Sequence, residues 1–281
     1  MRLAQIKWNH ATTAAIVEGE RARPIPNYTL YDLIVRSEKE DVPLTALALR
    51  LASTHTEPAE WIIPLKPREV WACGCTYESS AAFRDAEHGT REGFYAHVYR
   101  EARPEVFFKG TSRVCVGPGQ PIGIRPDSRF TAPEPELALV LASKGRVVGY
   151  TLANDVSAWD LERENPLYLP QSKTYTACCA LGPVIVTPDE VENPYALEMT
   201  CAITRDGRQI FSGATSTARL NRKFETLIEY LLRANPVPAG SVLLTGTGII
   251  VTEQAALAPG DIVSIRVAQI GELSNPAALL T

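Results

Sequence analysis

Histidine is scarce in this 281-residue chain. There are only four (His10, His55, His88 and His97), and no two stand at the spacing of a helical zinc pair. The six cysteines form no C-x-x-C: Cys73 and Cys75 flank one glycine, Cys178 and Cys179 are adjacent, and Cys115 and Cys201 stand alone. A zinc enzyme, a His-based hydrolase or a dithiol oxidoreductase is therefore poorly supplied with parts, and the cysteines read as small buried hydrophobes. Positive charge is also not in excess, with Lys+Arg 28 against Asp+Glu 32 and a net charge of -4, which argues against nucleic acid as a partner. No apolar run approaches the ~18 residues that span a bilayer, so no membrane partner is expected. The opening MRLAQIKWNH has no apolar signal core, and a cytoplasmic protein is expected.

Turn formers, by contrast, are abundant: 21 prolines and 18 glycines favour many short elements over long helices. Residues 2–8 and 12–18 alternate like two strands around the polar turn Asn9-His10. Thr29 is placed to cap a helix over 30–37, and Pro43 to open another reaching about residue 53. A proline-marked stretch (Pro58, Pro64, Pro67) then suggests a boundary, giving a small N-terminal α/β domain over 1–65 and a second domain over 66–281. Short β-rich runs follow at 70–75, 105–109, 137–142, 184–187, 198–204, 242–245 and 262–267. One amphipathic helix interrupts them, with Leu220, Phe224, Leu227, Ile228, Leu231 and Leu232 at three- and four-residue steps. Without regular βα alternation, the expected class is α+β, mostly β.

The stretch TAPEPELALVLASKGRVVGYTLANDVSAWD holds the most chemistry. Glu134 and Glu136, two apart at the start of an apolar strand, point to one face. A bare E-x-E is more often a solvated edge. Here Pro135 suits a strand start, and a second acidic centre, Asp155, follows in apolar surroundings. Three carboxylates without nearby Cys or His make a hard oxygen-ligand set, suited to Mg²⁺, Mn²⁺ or Ca²⁺. Lys173, eighteen residues after Asp155, is a candidate counter-charge for a substrate carboxylate, against the plainer reading of a surface cation.

GYTLANDVSAWD, a following Lys and ALGPVIV, then GSVLLTGTG and LAPGDIVSIRVAQIGELSNP, resemble the signature of the fumarylacetoacetate hydrolase superfamily. The resemblance runs from about residue 69 to the C-terminus. It implies a mixed β-roll catalytic domain, usually oligomeric (homodimer or homotetramer), with a divalent metal, Mg²⁺ or Mn²⁺, held by Glu134, Glu136 and Asp155. It also implies that Lys173 and Thr247 lie at the substrate. Two departures stand out. Ser80, in GCTYESSAAFRDAEHG, occupies the place where hydrolytic members carry a water-activating histidine, and Ala158-Trp159-Asp160 replaces the usual Ala-Arg-Asp, removing a positive charge.

A narrower resemblance lies in VWACGCTYESS, YREARPEVFFKG, APEPELALVL and RENPLYLPQSKTY, which look like the 2-keto-3-deoxy-pentonate dehydratases of pentose breakdown. That resemblance implies Mg²⁺-dependent loss of water from a 2-keto-3-deoxy sugar acid (the 2-dehydro-3-deoxy-D-arabinonate type), giving 2,5-dioxopentanoate. The metal chelates the carboxylate and keto oxygens as the C3 proton leaves. Candidates for the base are Glu78, Glu87 and Lys109, with Lys173 also catalytic. Arg84, Tyr168, Gln171, Lys173 and Thr247 are candidates for substrate binding. Two other functions compete: a hydrolase or decarboxylase of a β-diketo acid, which Ser80 disfavours, and a catalytically silent keto-acid-binding homologue, which the intact carboxylates and Lys173 disfavour.

Overall fold

The computed structural model describes residues 1–87 and 93–281, with Glu87 described by its backbone only. The chain opens with an antiparallel meander of β1 (Arg2–Trp8), β2 (Ala11–Glu18) and β3 (Arg21–Ile25). Asn9 and His10 take left-handed φ of 48° and 63°, the backbone twist that a two-residue hairpin turn requires. Helix α1 (Leu30–Lys39) begins in a capping box: Thr29 Oγ1 accepts from the Asp32 N–H (3.2 Å), and Asp32 Oδ2 accepts from the Thr29 N–H (2.8 Å). Helix α2 (Leu44–Leu51) follows Pro43 directly.

Next come β4 (Glu57–Pro58), β5 (Glu60–Ile62) and β6 (Val70–Gly74), then α3 (Glu78–Glu87) and α4 (Phe94–Arg100). Strands β7 (Glu105–Gly110), β8 (Cys115–Val116), β9 (Ile122–Ile124), β10 (Thr131–Ala132), β11 (Pro135–Leu141), β12 (Val147–Asp155) and β13 (Ser157–Ala158) lead to α5 (Trp159–Glu164) and α6 (Leu169–Lys173). The chain ends through β14 (Cys179–Val186), β15 (Glu198–Arg205), β16 (Arg208–Ser216), α7 (Phe224–Leu232), β17 (Ser241–Leu244), β18 (Ile262–Val267) and β19 (Gly271–Leu279).

Twelve strands form one mixed sheet, ordered β4-β3-β2-β1-β14-β12-β11-β17-β6-β7, with β5 added to β1 and β8 to β14. Five more form a second sheet, β16-β15-β18-β19-β9. Pairing of β1 with β14 carries the large sheet across residue 65, so the N-terminal elements share sheet and core with the rest of the chain. Among the described residues, no helix is long and apolar enough to cross a bilayer.

Period-two alternation on β11 decides which side chain faces which core. Leu137, Leu139 and Leu141 pack with β15, β18 and the apolar stripe of α7 (Phe224, Leu227, Leu231). Ala138 and Val140 face the other way, into a core closed by α1 and α2 through Leu33 and Leu47. Glu136 shares the parity of Ala138 and Val140, and on β12 Asp155 shares that of Ala153, which lies in the same core. The acids therefore emerge on the α1/α2 side of the sheet, at one end of the β11–β12 ladder.

Leu139 is fully buried at the centre of this ladder. Leu139→Ala should cost about 2–5 kcal/mol. In urea denaturation this should read as a lowered midpoint at an unchanged slope.

Candidate active site

The β11–β12 register sets Pro135 opposite Asn154 and Glu136 opposite Ala153, which brings the E-x-E pair to the end of β12. Two further bonds fix the junction: the Glu134 N–H donates to Asn154 Oδ1 (3.0 Å), and the Asp155 N–H donates to the Glu134 carbonyl (2.9 Å). Oxygens of Glu134, Glu136 and Asp155 all lie within 4.8 Å of one another, and all three residues are buried. Such a hard-oxygen triad fits a divalent cation of the Mg²⁺, Mn²⁺ or Ca²⁺ type.

Two buried lysines balance most of this charge. Lys109 Nζ lies 2.5 Å from Asp155 Oδ1 and donates to the Val156 carbonyl at 2.9 Å. Lys173 Nζ lies 3.1 Å from Asp155 Oδ2 and 2.9 Å from Glu134 Oε1. Burial penalises both ammonium groups, but the carboxylates outweigh it and raise both above the usual lysine range. Burial likewise opposes ionisation of Asp155, yet Lys109 and Lys173 prevail and hold its carboxyl below the usual range.

Glu136 is the exception. Burial, then repulsion from Asp155 and Glu134, pushes its carboxyl well above the ordinary value, against a 2.5 Å hydrogen bond from the Gly246 N–H and the charge of Lys173. That donor belongs to the TGTG turn after β17. Gly246 has φ +93°, and a Cβ there would stand 2.0 Å from Thr76 Oγ1, so only glycine brings this N–H to the carboxylate.

Glu134 Oε1 accepts from Ser157 Oγ (2.9 Å) and from the indole Nε1 of Trp159 (3.0 Å) as well as from Lys173. Trp159 thus holds a cluster carboxylate by hydrogen bonding from a neutral indole. A narrow cleft at Glu134 is lined by Ser80, Trp159, Thr247 and Ile249, among others, and Thr247 Oγ1 donates to the Ile249 carbonyl (3.2 Å).

The structure thus gathers Glu134, Glu136, Asp155, Lys109, Lys173 and Thr247. Lys173, for which a surface position was the plainer reading, is 1% exposed. Arg84 is 2% exposed and is spent on the protein. It pairs with Glu105 Oε2 (3.1 Å) and Glu162 Oε1 (3.2 Å) and lies over the Trp159 ring at 5.9 Å. This ties α3, β7 and α5 together. Glu162 and then Glu105 keep the guanidinium charged against the cost of its burial. Neither glutamate carries a sequence signal that marks it as Arg84's partner.

Glu78 is exposed on the first turn of α3. Tyr168 and Gln171 are also exposed, and their neighbours Pro166 and Leu169 line a second cavity of about 480 Å³ with Glu105 and Glu162. The side chain of Glu87 lies outside the described residues, as does His88.

A mostly β protein with a buried three-carboxylate cation site on a mixed sheet is the class that these features define. Residues 75–278 match the fumarylacetoacetate (FAA) hydrolase C-terminal model, and the chain belongs to that family. It is 50% identical over 216 residues to 2-dehydro-3-deoxy-D-arabinonate dehydratase of Saccharolobus solfataricus, covering 76% of this chain and 72% of that protein. It is 44% identical over 236 residues to a probable 2-keto-3-deoxyxylonate dehydratase of Haloferax volcanii (80% and 81% covered). Its fold superposes with TM-score 0.85, at 40% identity over 100% of this chain and 99% of the other, on 2-keto-3-deoxy-D-arabinonate dehydratase complexed with magnesium and 2,5-dioxopentanoate.

The raised Glu136 carboxyl predicts a pH dependence. A cation competes with the proton on Glu136, so divalent-cation affinity should rise as pH climbs from the unperturbed carboxylate range through the raised folded value. The cation-free fold should lose stability over the same window, because the folded state holds that proton more tightly than the unfolded chain. Calorimetric titration and thermal melts across pH check both, and a cation affinity independent of pH would contradict the assignment.

Proposed function

We propose that this protein is a Mg²⁺-dependent dehydratase that converts a 2-keto-3-deoxy-pentonate of the 2-dehydro-3-deoxy-D-arabinonate type into 2,5-dioxopentanoate. One observation carries the reading: Glu134, Glu136 and Asp155, compensated by Lys109 and Lys173, sit in a fold shared with a dehydratase bound to magnesium and this product.

Glu134, Glu136 and Asp155 would hold the ion. Bound there, Mg²⁺ supplies a Lewis acid for the carboxylate and keto oxygens of a 2-keto acid. The charge count supports this: three carboxylates and two ammonium groups sum to one negative charge, and a dication turns that into one positive charge, matching a monoanionic substrate. We assign the C3 proton to Lys173 Nζ. Lys173 touches two of the three ligand residues, and once their charge is drawn to a dication its hold on the extra proton weakens. The C4 hydroxyl then leaves as water, and proton shifts turn the C5 alcohol carbon into the aldehyde. Ser80 lines the narrow cleft beside Glu134. Ser80 also leaves this place without the imidazole that a hydrolytic mechanism needs.

Residues 1–65 serve packing in this account, through a shared sheet and without chemistry of their own. Exposed Leu167 (82%), Phe94 (45%) and Phe108 (43%) support assembly as a homodimer or homotetramer, which light scattering would size.

Incubation with Mg²⁺ and 2-keto-3-deoxy-D-arabinonate should release an aldehyde that an NADP-dependent dehydrogenase detects. No aldehyde, together with loss of an acylpyruvate's absorbance, would favour the β-diketo acid hydrolase instead. Glu136→Gln should abolish turnover by weakening Mg²⁺ binding. Lys173→Met should lower kcat by about 10²-fold or more while the protein still binds Mg²⁺. Loss of turnover in Glu78→Gln at unchanged Mg²⁺ affinity would move the base to Glu78.

A further inference from the structure

Asp155, Cys179 and Cys115 lie in one row across three neighbouring strands. Asp155 on β12 pairs with Cys179 on β14 in antiparallel register, and Cys179 pairs with Cys115 on β8 in parallel register. Directly paired residues project from the same face of a sheet. The core contacts agree: Cys179 is buried in the α1/α2 core, and Cys115 packs against it. Both thiols therefore stand on the face that carries the Asp155 carboxylate, and Cys115 Sγ donates to the Thr111 carbonyl (3.4 Å). Neither is in a disulfide.

The spacing suits a bond between them. Neighbouring strands lie about 4.7–4.9 Å apart, inside the Cα separation of about 4.4–6.8 Å that a disulfide tolerates. Strand β8 has only two residues, so little of the ladder opposes a small shift toward β14. Cys115 is half-buried and gives an oxidant a way in, whereas Cys179 is fully buried. The neighbouring Cys178 couples the same strand start to the second lysine: its Sγ donates to the Lys173 carbonyl (3.2 Å) and accepts from the Tyr175 N–H (3.3 Å).

We propose that Cys115 and Cys179 are an oxidation site that closes to a disulfide and, by repositioning the Cys179 side chain on the face it shares with Asp155, disturbs Asp155 and Lys173 and so weakens cation binding. With hydrogen peroxide as oxidant, the Cys115 thiol becomes a sulfenic acid and one water is released. Cys179 sulfur then attacks that sulfur, the S–S bond forms, and the sulfenic hydroxyl leaves with the Cys179 proton as a second water. Two electrons pass from the dithiol to peroxide, and an excess of small thiol returns them. Only the consequence for the cation rests on the reading of Asp155 as a ligand; the bond itself does not.

The test uses the full chain, stripped of metal, treated with peroxide, alkylated and mapped without reduction. One cross-link should join the peptides holding Cys115 and Cys179. Mg²⁺ affinity by calorimetry should fall about tenfold or more, the scale of disturbing a group that supports a metal ligand, and dithiothreitol should restore it. Cys115→Ala should bind Mg²⁺ as the parent does and be indifferent to peroxide. No cross-link, or one joining other cysteines, overturns the site; a cross-link at unchanged affinity overturns its coupling to the cation. Absence of Mg²⁺ binding before oxidation would sink the cation reading instead, and the cross-link map would still decide the dithiol.

Discussion

Three carboxylates confined within 4.8 Å of one another and buried make an arrangement that no protein holds without compensation. Here the compensation is two lysines, themselves buried, each making sense only beside the other charges. Lys109 and Lys173 stabilise Asp155 as an anion, and Asp155 keeps both lysines charged. Among the described residues Glu136 has no cation in direct contact, and burial, then Asp155 and Glu134, raise its carboxyl against the pull of the Gly246 N–H and Lys173. The site is thus balanced except for one unit of negative charge, which a dication would turn into one unit of positive charge facing an anionic substrate.

Much of the surrounding structure acts to hold that balance. The β11–β12 ladder sets the spacing of the acids, and Asn154 fastens the turn of chain at Glu134. The glycine turn after β17 supplies a backbone donor where a side chain could not fit. Behind Trp159 stands a second charged group, Arg84 between Glu105 and Glu162. It links α3, which carries Ser80 to the cleft, with the helix whose indole holds Glu134. In this way two ionic networks share one aromatic wall.

How far this was legible in the sequence depended on the range of the interaction. A short apolar run marked β11, the Asn9-His10 turn marked the first hairpin, and Thr29 marked the start of α1, because each is decided within a few residues. Strand parity sufficed to place Glu134 and Glu136 on one face. Asp155 and Lys173 were legible as candidates and the family resemblance assigned their roles, but their meeting with that pair depends on strand register across twenty residues and more. Arg84's partners were hidden, since Glu105 and Glu162 approach it only through tertiary packing. The row of Cys115, Cys179 and Asp155 was equally hidden, because nothing local to three separate segments announces that their strands are neighbours. The proline-marked stretch near residue 65 was legible as a break in texture, but it could not reveal that β1 pairs with β14.

The central claim is that the three acids form one cation site. Anomalous diffraction from crystals soaked in Mn²⁺, a stand-in for Mg²⁺, tests it most directly. The account predicts one strong anomalous peak bounded by Glu134, Glu136 and Asp155, and its loss in Glu136→Gln crystals. A peak elsewhere, or none among these carboxylates at saturating Mn²⁺, would contradict it.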